Sequence, residues 1–281
     1  MNVTVVYNPK SGSARPRSEI QQFFNDAQIT VDTFINITNQ AEREKIHTLA
    51  KSGAVIAAIG GDGTIMNVAR YVVGTPAVFA PLPGGTLNHF TKDADIEQDL
   101  AIAITNLVHS QPRKVDVAQV NNLLFLNNSS IGIYPSSLRT RARFEDAIGK
   151  WPAAVIGSVY AFLRFRLYTV TIDGKDFKTP FLFVGNNNYD MTGTAERTKL
   201  NEGLLSVYAI TSTRRRDVFS LLYAAFTKQL HDHDDFLSFH TPEVTIHTKK
   251  IRKINVSTDG EISRIETPLN YRSLPGSLPI I

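Results

Sequence analysis

No cysteine occurs in the 281 residues. Disulfides, thiolate nucleophiles, Cys-ligated zinc and iron–sulfur clusters are thereby excluded, and a reducing compartment fits. No apolar run reaches the ~18 residues that a membrane-spanning helix needs. Nor is there a basic segment followed by an apolar one at the start, because Val3–Tyr7 reads at once as a strand. A cytoplasmic protein is therefore expected, with a peripheral place on the inner face of the membrane left open. A strong excess of one charge is also missing: 30 Lys and Arg against 26 Asp and Glu leave a net charge of +4, which favours anionic partners only mildly. Basic patches do occur, at Arg139, Arg141 and Arg143, at Arg214, Arg215 and Arg216, and at Lys249, Lys250, Arg252 and Lys253. They suit an anionic membrane surface or plain solubility. No nucleic-acid motif accompanies them, so no nucleic-acid partner is expected.

What is present is a 42% hydrophobic composition, enough for one large domain or two modest ones. The most informative stretch is Ala54–Thr64. A short apolar run ends in Gly60-Gly61-Asp62-Gly63-Thr64, and an amphipathic segment with Ile65, Val68, Ala69 and Val72 on one face follows. This predicts a buried strand, a glycine turn and a helix N-terminus. Glycines lacking Cβ let backbone N–H groups approach phosphate. Asp62 inside such a turn implies a bound metal or proton transfer, since a bare carboxylate repels phosphate.

The flanking segments alternate. Strands are expected at Val3–Tyr7, Thr30–Ile35 and Val78–Ala80, and helices at Glu19–Ala27, Ala41–Lys51 and from Leu100 to Val108. That alternation over the first 110 or so residues predicts a mostly parallel sheet. Asn8-Pro9-Lys10-Ser11-Gly12-Ser13 follows the first strand, where open α/β sheets carry ligands, so Lys10, Ser11 and Ser13 are candidate phosphate contacts. Pro83-Gly84-Gly85-Thr86-Leu87-Asn88-His89 is a second glycine loop. Thr86 there is a candidate helix cap or phosphate donor, and His89 is expected to pack or cap.

From Lys114 onward strand-like pieces dominate: Val115–Val120, Leu123–Leu126, Tyr168–Ile172, Phe181–Gly185, Leu205–Ile210, Val244–His247 and Ile254–Ser257. Hairpin turns are marked by Asn121-Asn122, Asp173-Gly174 and Asp259-Gly260. A β-rich second domain is expected over 114–267, after an α/β domain over 1–113. The mixed tail 268–281, broken by prolines, is expected to dock. Leu138 to Arg166 reads as a helical insertion. Its apolar part, Trp151 to Phe165, is a lipid-accepting surface or a helix packed on the domain or on a second subunit, as in a homodimer. Asp217 to Leu230 reads as a further helix. His231-Asp232-His233-Asp234-Asp235 has the composition of a metal tract but reads as a solvated loop.

The ordered set of Asn8-Pro9-Lys10-Ser11-Gly12, Gly60-Gly61-Asp62-Gly63-Thr64, Pro83-Gly84-Gly85-Thr86-Leu87-Asn88, Gly185-Asn186-Asn187 with Tyr189, Gly203-Leu204-Leu205 with Tyr208, and Asp259-Gly260-Glu261 resembles the diacylglycerol kinase catalytic family. That family includes sphingosine-type and bacterial lipid kinases and is related to the NAD kinases. The resemblance runs nearly end to end. It implies an α/β nucleotide-binding domain completed by the returning tail, a C-terminal β-sandwich, and an active site in the cleft between them. It implies ATP and Mg²⁺, and transfer of the γ-phosphoryl group to a hydroxyl of a diacylglycerol-like lipid taken from a membrane surface. Asn8, Pro9, Lys10, Ser11, Gly60, Gly61, Gly63, Thr64, Gly84, Gly85, Thr86 and Asn88 would hold the nucleotide. Asp62 would act through the metal, Asp116 would join the metal network, and Glu261 would be the general base. The chain departs from many relatives in its extra glycine, in His89, and in Ser13 where a basic residue is frequent. Lys10 or Arg15 would replace that charge, and an arginine of Arg139–Arg143 would replace a basic residue that some relatives place in the second domain. A kinase of a soluble polyol or dinucleotide and a non-catalytic nucleotide- or lipid-binding regulator are the competing readings.

Overall fold

The computed structural model describes residues 1–11, 14–132, 166–189, 197–212, 214 and 236–281. The arginine cluster Arg139–Arg143, the Trp151–Phe165 stretch, the helix expected over Asp217–Leu230 and the His231–Asp235 tract lie outside them. The chain forms two compact units. One comprises Met1–Val117, Lys199–Asn201 and Leu274–Ile281, and the other Ala118–Thr198 and Glu202–Ser273.

In the first unit, β1 (Asn2–Tyr7), β2 (Thr30–Asn36), β3 (Val55–Gly60) and β4 (Val78–Pro83) pair in the order β2-β1-β3-β4, all parallel. Strands β1, β3 and β4 are buried along nearly their whole length, as a sheet covered on both faces requires, while the edge strand β2 is exposed or half-buried over most of its length. Helices α1 (Arg17–Asp26) and α5 (Leu100–Asn106) close one face, where Ile20, Phe24, Leu100 and Ile104 meet Val3, Val5, Ala57 and Leu82. Helices α2 (Gln40–Lys51) and α3 (Asp62–Val72) pack on each other, and the predicted α3 face, Ile65, Val68, Ala69 and Val72, is buried. A short α4 (His89–Asp93) follows the second glycine loop.

The second unit is antiparallel. One sheet runs β12 (Phe236–Thr241), β11 (Leu205–Ile210), β10 (Phe181–Asn186), β7 (Asn128–Gly132), β14 (Lys253–Thr258), β15 (Glu261–Glu266). Facing it, the start of β16 (Leu269–Ile280) pairs with β13 (Glu243–Thr248), which pairs with β8 (Tyr168–Ile172), which pairs with β9 (Lys175–Thr179). β5 (Arg113–Val120) pairs with β16 and, across the Asn121-Asn122 turn, with β6 (Leu123–Phe125). Phe125, Ile131, Leu182, Val207, Ile246 and Tyr271 fill the space between the layers, which makes this unit a β-sandwich.

The tail corrects one expectation. Its prolines do not break it: Leu269–Ile280 is a single strand. Leu269–Arg272 pair with β13, and Ile280 pairs with Phe79 of β4. Pro275 stands beside Gly276, whose φ of 58° kinks the strand. Leu278 and Ile280 are buried in the first unit. Truncating Leu278 to Ala should destabilise the protein by about 3 kcal/mol, read as a lower denaturation midpoint at unchanged m-value.

Candidate active site

The two glycine loops of the first unit are locked together. Gly84 N–H donates to Gly60 O at 3.0 Å. A Cβ on Gly85 would lie 2.4 Å from Gly61 Cα, and one on Gly60 would lie 2.5 Å from Thr64 Cβ. These glycines therefore serve the contact of loop with loop and of loop with helix. Of the motif's glycines, only Gly63 has nothing within 4 Å of its would-be Cβ.

The first loop clasps the other two. Asn8 Nδ2 donates to Thr64 Oγ1 at 3.3 Å, and Ser11 Oγ donates to Gly84 O at 2.8 Å. Asn8 Oδ1 also accepts from Lys10 N–H, which tightens the turn after β1. In the second loop Asn88 takes the left-handed conformation (φ 53°), one that Asn tolerates, and its Oδ1 accepts from Gly85 N–H at 2.9 Å. Asp62, first residue of α3, accepts from Phe90 N–H at 3.0 Å and so ties α3 to α4.

A cavity of about 380 Å³ opens where these pieces meet, lined by Asn8, Ser11, Gly61, Gly63, Thr64 and Arg43 among others. It lies at the N-terminus of α3, whose N-cap Gly61 supplies no side-chain hydrogen bond. The first N–H groups of such a helix have no intrahelical acceptor, and the helix dipole is positive there. Arg43 Nε is buried without a hydrogen-bond partner. The space thus offers anion-binding donors, hydroxyls and a cation, which is the chemistry of a phosphate site. A smaller cavity of about 160 Å³ adjoins Asn8, Ser11, Gly84, Gly85 and Asn88.

Other predicted residues stand elsewhere. Pro9, Lys10 and Thr86 are exposed and line neither cavity, whereas Arg15, paired with Glu19, lines the smaller one. The N-cap of α4 is Asn88 and not Thr86, and His89 is exposed at the first position of that helix, neither packed nor capping. Asp116 is buried, and its Oδ1 accepts from Gly276 N–H at 2.8 Å, which ties the returning tail to β5. Among the described residues no three His, Asp or Glu cluster to hold a metal.

Glu261 belongs to the second unit, at the start of β15, and it is exposed. Its turn is built with care. Asp259 (φ 47°) and Gly260 (φ 84°) form a two-residue left-handed hairpin turn between Thr258 and Glu261. The Asp259 carboxylate accepts from the backbone N–H groups of Leu126, Asn127 and Asn128 at 2.7, 2.8 and 3.0 Å. Arg197, 3% exposed, donates to Leu126 O, Asn186 O and Asn127 Oδ1. Tyr189 lies against bare Gly185, and its hydroxyl donates to Asn127 O at 2.8 Å. The Gly185-Asn186-Asn187 motif with Tyr189 thus backs the loop that grips Asp259. Burial pushes the Asp259 carboxyl above its ordinary range, against the pull of the three N–H groups and of Arg197.

Sequence reading missed Arg43, Arg197 and the holding role of Asp259. For Asp259 the signal was present, as an acid inside a turn motif. For the two arginines no local pattern distinguished them.

Residues 2–120 match the diacylglycerol kinase catalytic domain, and residues 137–281 match the YegS C-terminal NAD kinase beta sandwich-like domain. The chain belongs to the diacylglycerol kinase catalytic family. Similar members include "Putative lipid kinase SH2167" of Staphylococcus haemolyticus, 26% identical over 88% of this chain and 82% of that one. "Putative lipid kinase SAS0691" of Staphylococcus aureus is 26% identical over 88% and 83%. A solved diacylglycerol kinase of Bacillus anthracis shares the fold, with a TM-score of 0.70 at 20% identity, covering 100% of this chain and 96% of that one. The diacylglycerol kinase family is a kinase family, and the match to its catalytic domain, residues 2–120, covers most of the first unit.

Two outcomes follow from the geometry. Gly85→Ala should lower stability and Gly63→Ala should not, whereas both should weaken nucleotide binding by calorimetric titration. Asp259→Asn keeps the shape but turns an NH₂ toward a backbone donor, which should cost about 2 kcal/mol. Because the folded-state pKa of Asp259 is raised, its proton contributes stability that is full below the unfolded value of about 3.9 and is lost as pH rises through the folded value. A plot of Tm against pH for Asp259→Asn should lack that fall.

Proposed function

We propose that the protein is an ATP-dependent lipid kinase that transfers the γ-phosphoryl group to a hydroxyl of a diacylglycerol-like lipid. The observation that carries this reading is the uncapped α3 N-terminus opening on a cavity with bare Gly63 and the unpartnered Arg43 Nε. The lipid kinase names of its relatives support the acceptor class. In this reading the α3 N–H groups, Thr64 and Arg43 offset phosphate charge, while Asn8 and Ser11 keep the loops closed around it. Glu261 takes the proton of the acceptor hydroxyl. The acceptor oxygen then bonds to the γ-phosphorus as the bridging bond to the β-phosphate breaks, and ADP leaves.

Mg²⁺ fits as an ion carried by the nucleotide, since such sites need only one or two protein carboxylates besides phosphate oxygens. Asp62 is the residue to hold it, and the metal would neutralise charge on those oxygens. Asp62 and Asp116 each accept one backbone N–H on Oδ1, from Phe90 and from Gly276, and Asp116 does so buried beside the returning tail.

Labelled ATP and Mg²⁺ with mixed vesicles of bacterial lipid extract test the proposal. A labelled lipid should appear, and Glu261→Gln should cut its formation by roughly 10²–10⁴-fold with ATP binding retained. Arg43→Ala should weaken ATP binding by roughly tenfold. Label in a soluble polyol or dinucleotide with none in lipid would overturn the acceptor class. ATP binding with no acceptor-dependent ADP release would point to a regulator.

A further inference from the structure

A second groove lies in the β-sandwich unit, well removed in sequence from the glycine loops. Of about 740 Å³, it runs beside the start of β8 and along β14 and β15. Its described lining holds three cations, Arg166, Lys253 and Arg264, and no carboxylate. Between the cations lie Leu167, Ile251 and Ile262. Leu167 is 40% exposed. Lys253 is offset by Glu266 at 3.2 Å, which leaves the two arginines as the groove's uncompensated charge among its described partners. The Lys249-Lys250-Ile251-Arg252-Lys253 run continues the same chemistry into the turn between β13 and β14, where Lys250 and Arg252 are exposed and Lys249 pairs with Asp176.

Cations around aliphatic side chains, with no acid among them, match the boundary of an anionic bilayer, where phosphate lies above acyl chain. We propose that this groove and its basic turn dock the protein on anionic phospholipid, a surface distinct from the phosphate cavity of the first unit. The proposal rests on the lipid kinase reading for its purpose, though not for its test. Arg264 stands three residues from Glu261 on β15, about 10 Å along the strand. That spacing is odd, so the two side chains face opposite sides of the strand, and the groove serves retention at the membrane and not the placement of Glu261.

Sedimentation with phosphatidylcholine vesicles, with and without phosphatidylglycerol, decides the matter without reference to turnover. The native protein should partition to the anionic vesicles only, and less as salt rises. Arg166→Gln with Arg264→Gln should weaken that partition by about 25-fold, near fivefold for each charge removed. Arg272→Gln, which alters a cation bonded to Gln119 outside the groove, should leave it unchanged. Should the double variant lose its native Tm, Lys250→Gln with Arg252→Gln in the exposed turn takes its place with the same expected direction. Equal binding to neutral vesicles, salt-independent binding, or variants within twofold of native would overturn the proposal. Charge-dependent docking without lipid phosphorylation would sustain it while removing the kinase reading, and lipid phosphorylation in neutral micelles without docking would do the reverse.

Discussion

The closest approach in the first unit is that of the two glycine loops, with Gly61 Cα so near Gly85 that no side chain fits between them. Much else in that unit follows from this contact. It sets the end of β3 beside the end of β4, bonded through Gly84 N–H and Gly60 O. It fixes where α3 starts, and so where the uncapped N–H groups point. Asn8 and Ser11 then reach across to Thr64 and Gly84 because the two loops already share one surface. Close packing of backbone against backbone is rigid, since it has no rotamers to relax. A phosphate site needs donors that stay in place, and this contact supplies that constraint.

The sandwich unit solves a like problem with buried charge. Glu261 is exposed, so core packing does not hold it. The turn before it is held instead through Asp259, whose carboxylate is satisfied by three consecutive backbone N–H groups. Arg197 supplies the opposite charge and grips the same loop from behind. A buried ion without such partners is costly, whereas a fully satisfied network favours one arrangement. Tyr189 on Gly185 completes the wall with an aromatic ring in place of a further polar group. The cation-lined groove lies on the same hairpin, away from this turn, so one pair of strands carries both features.

Much of this was legible in the sequence. The alternation of apolar runs and amphipathic stretches is a local property, and it marked β1 to β3 and helices α1 to α3 within a residue or two, though β4 runs three residues past its expected end at Ala80. The Asn121-Asn122 and Asp173-Gly174 turns marked their hairpins for the same reason, since a left-handed turn is written in the residues that tolerate it. The tail was misread because its prolines look like breaks when pairing partners are unknown. Strand β9, with its polar Lys175–Thr179 run, left no periodic signal, because an edge strand need bury little.

The sequence by itself determined the parallel α/β unit, the β-rich second unit, and the glycine and acidic motifs around which the chemistry gathers. Those are carried by short-range periodicity and by residue types that few backbone conformations accept. Only the tertiary structure decided that Gly85 serves contact between loops and Gly60 contact with α3, that Gly63 stands open beside the cavity, and that Arg43, which lines it, has a buried Nε with no hydrogen-bond partner. It also decided that Asp116 binds the tail, and that Arg197 and Asp259 hold the turn of Glu261. Each of these is a meeting of residues distant in the chain, and a side chain's role there depends on which neighbour folding brings within hydrogen-bond reach.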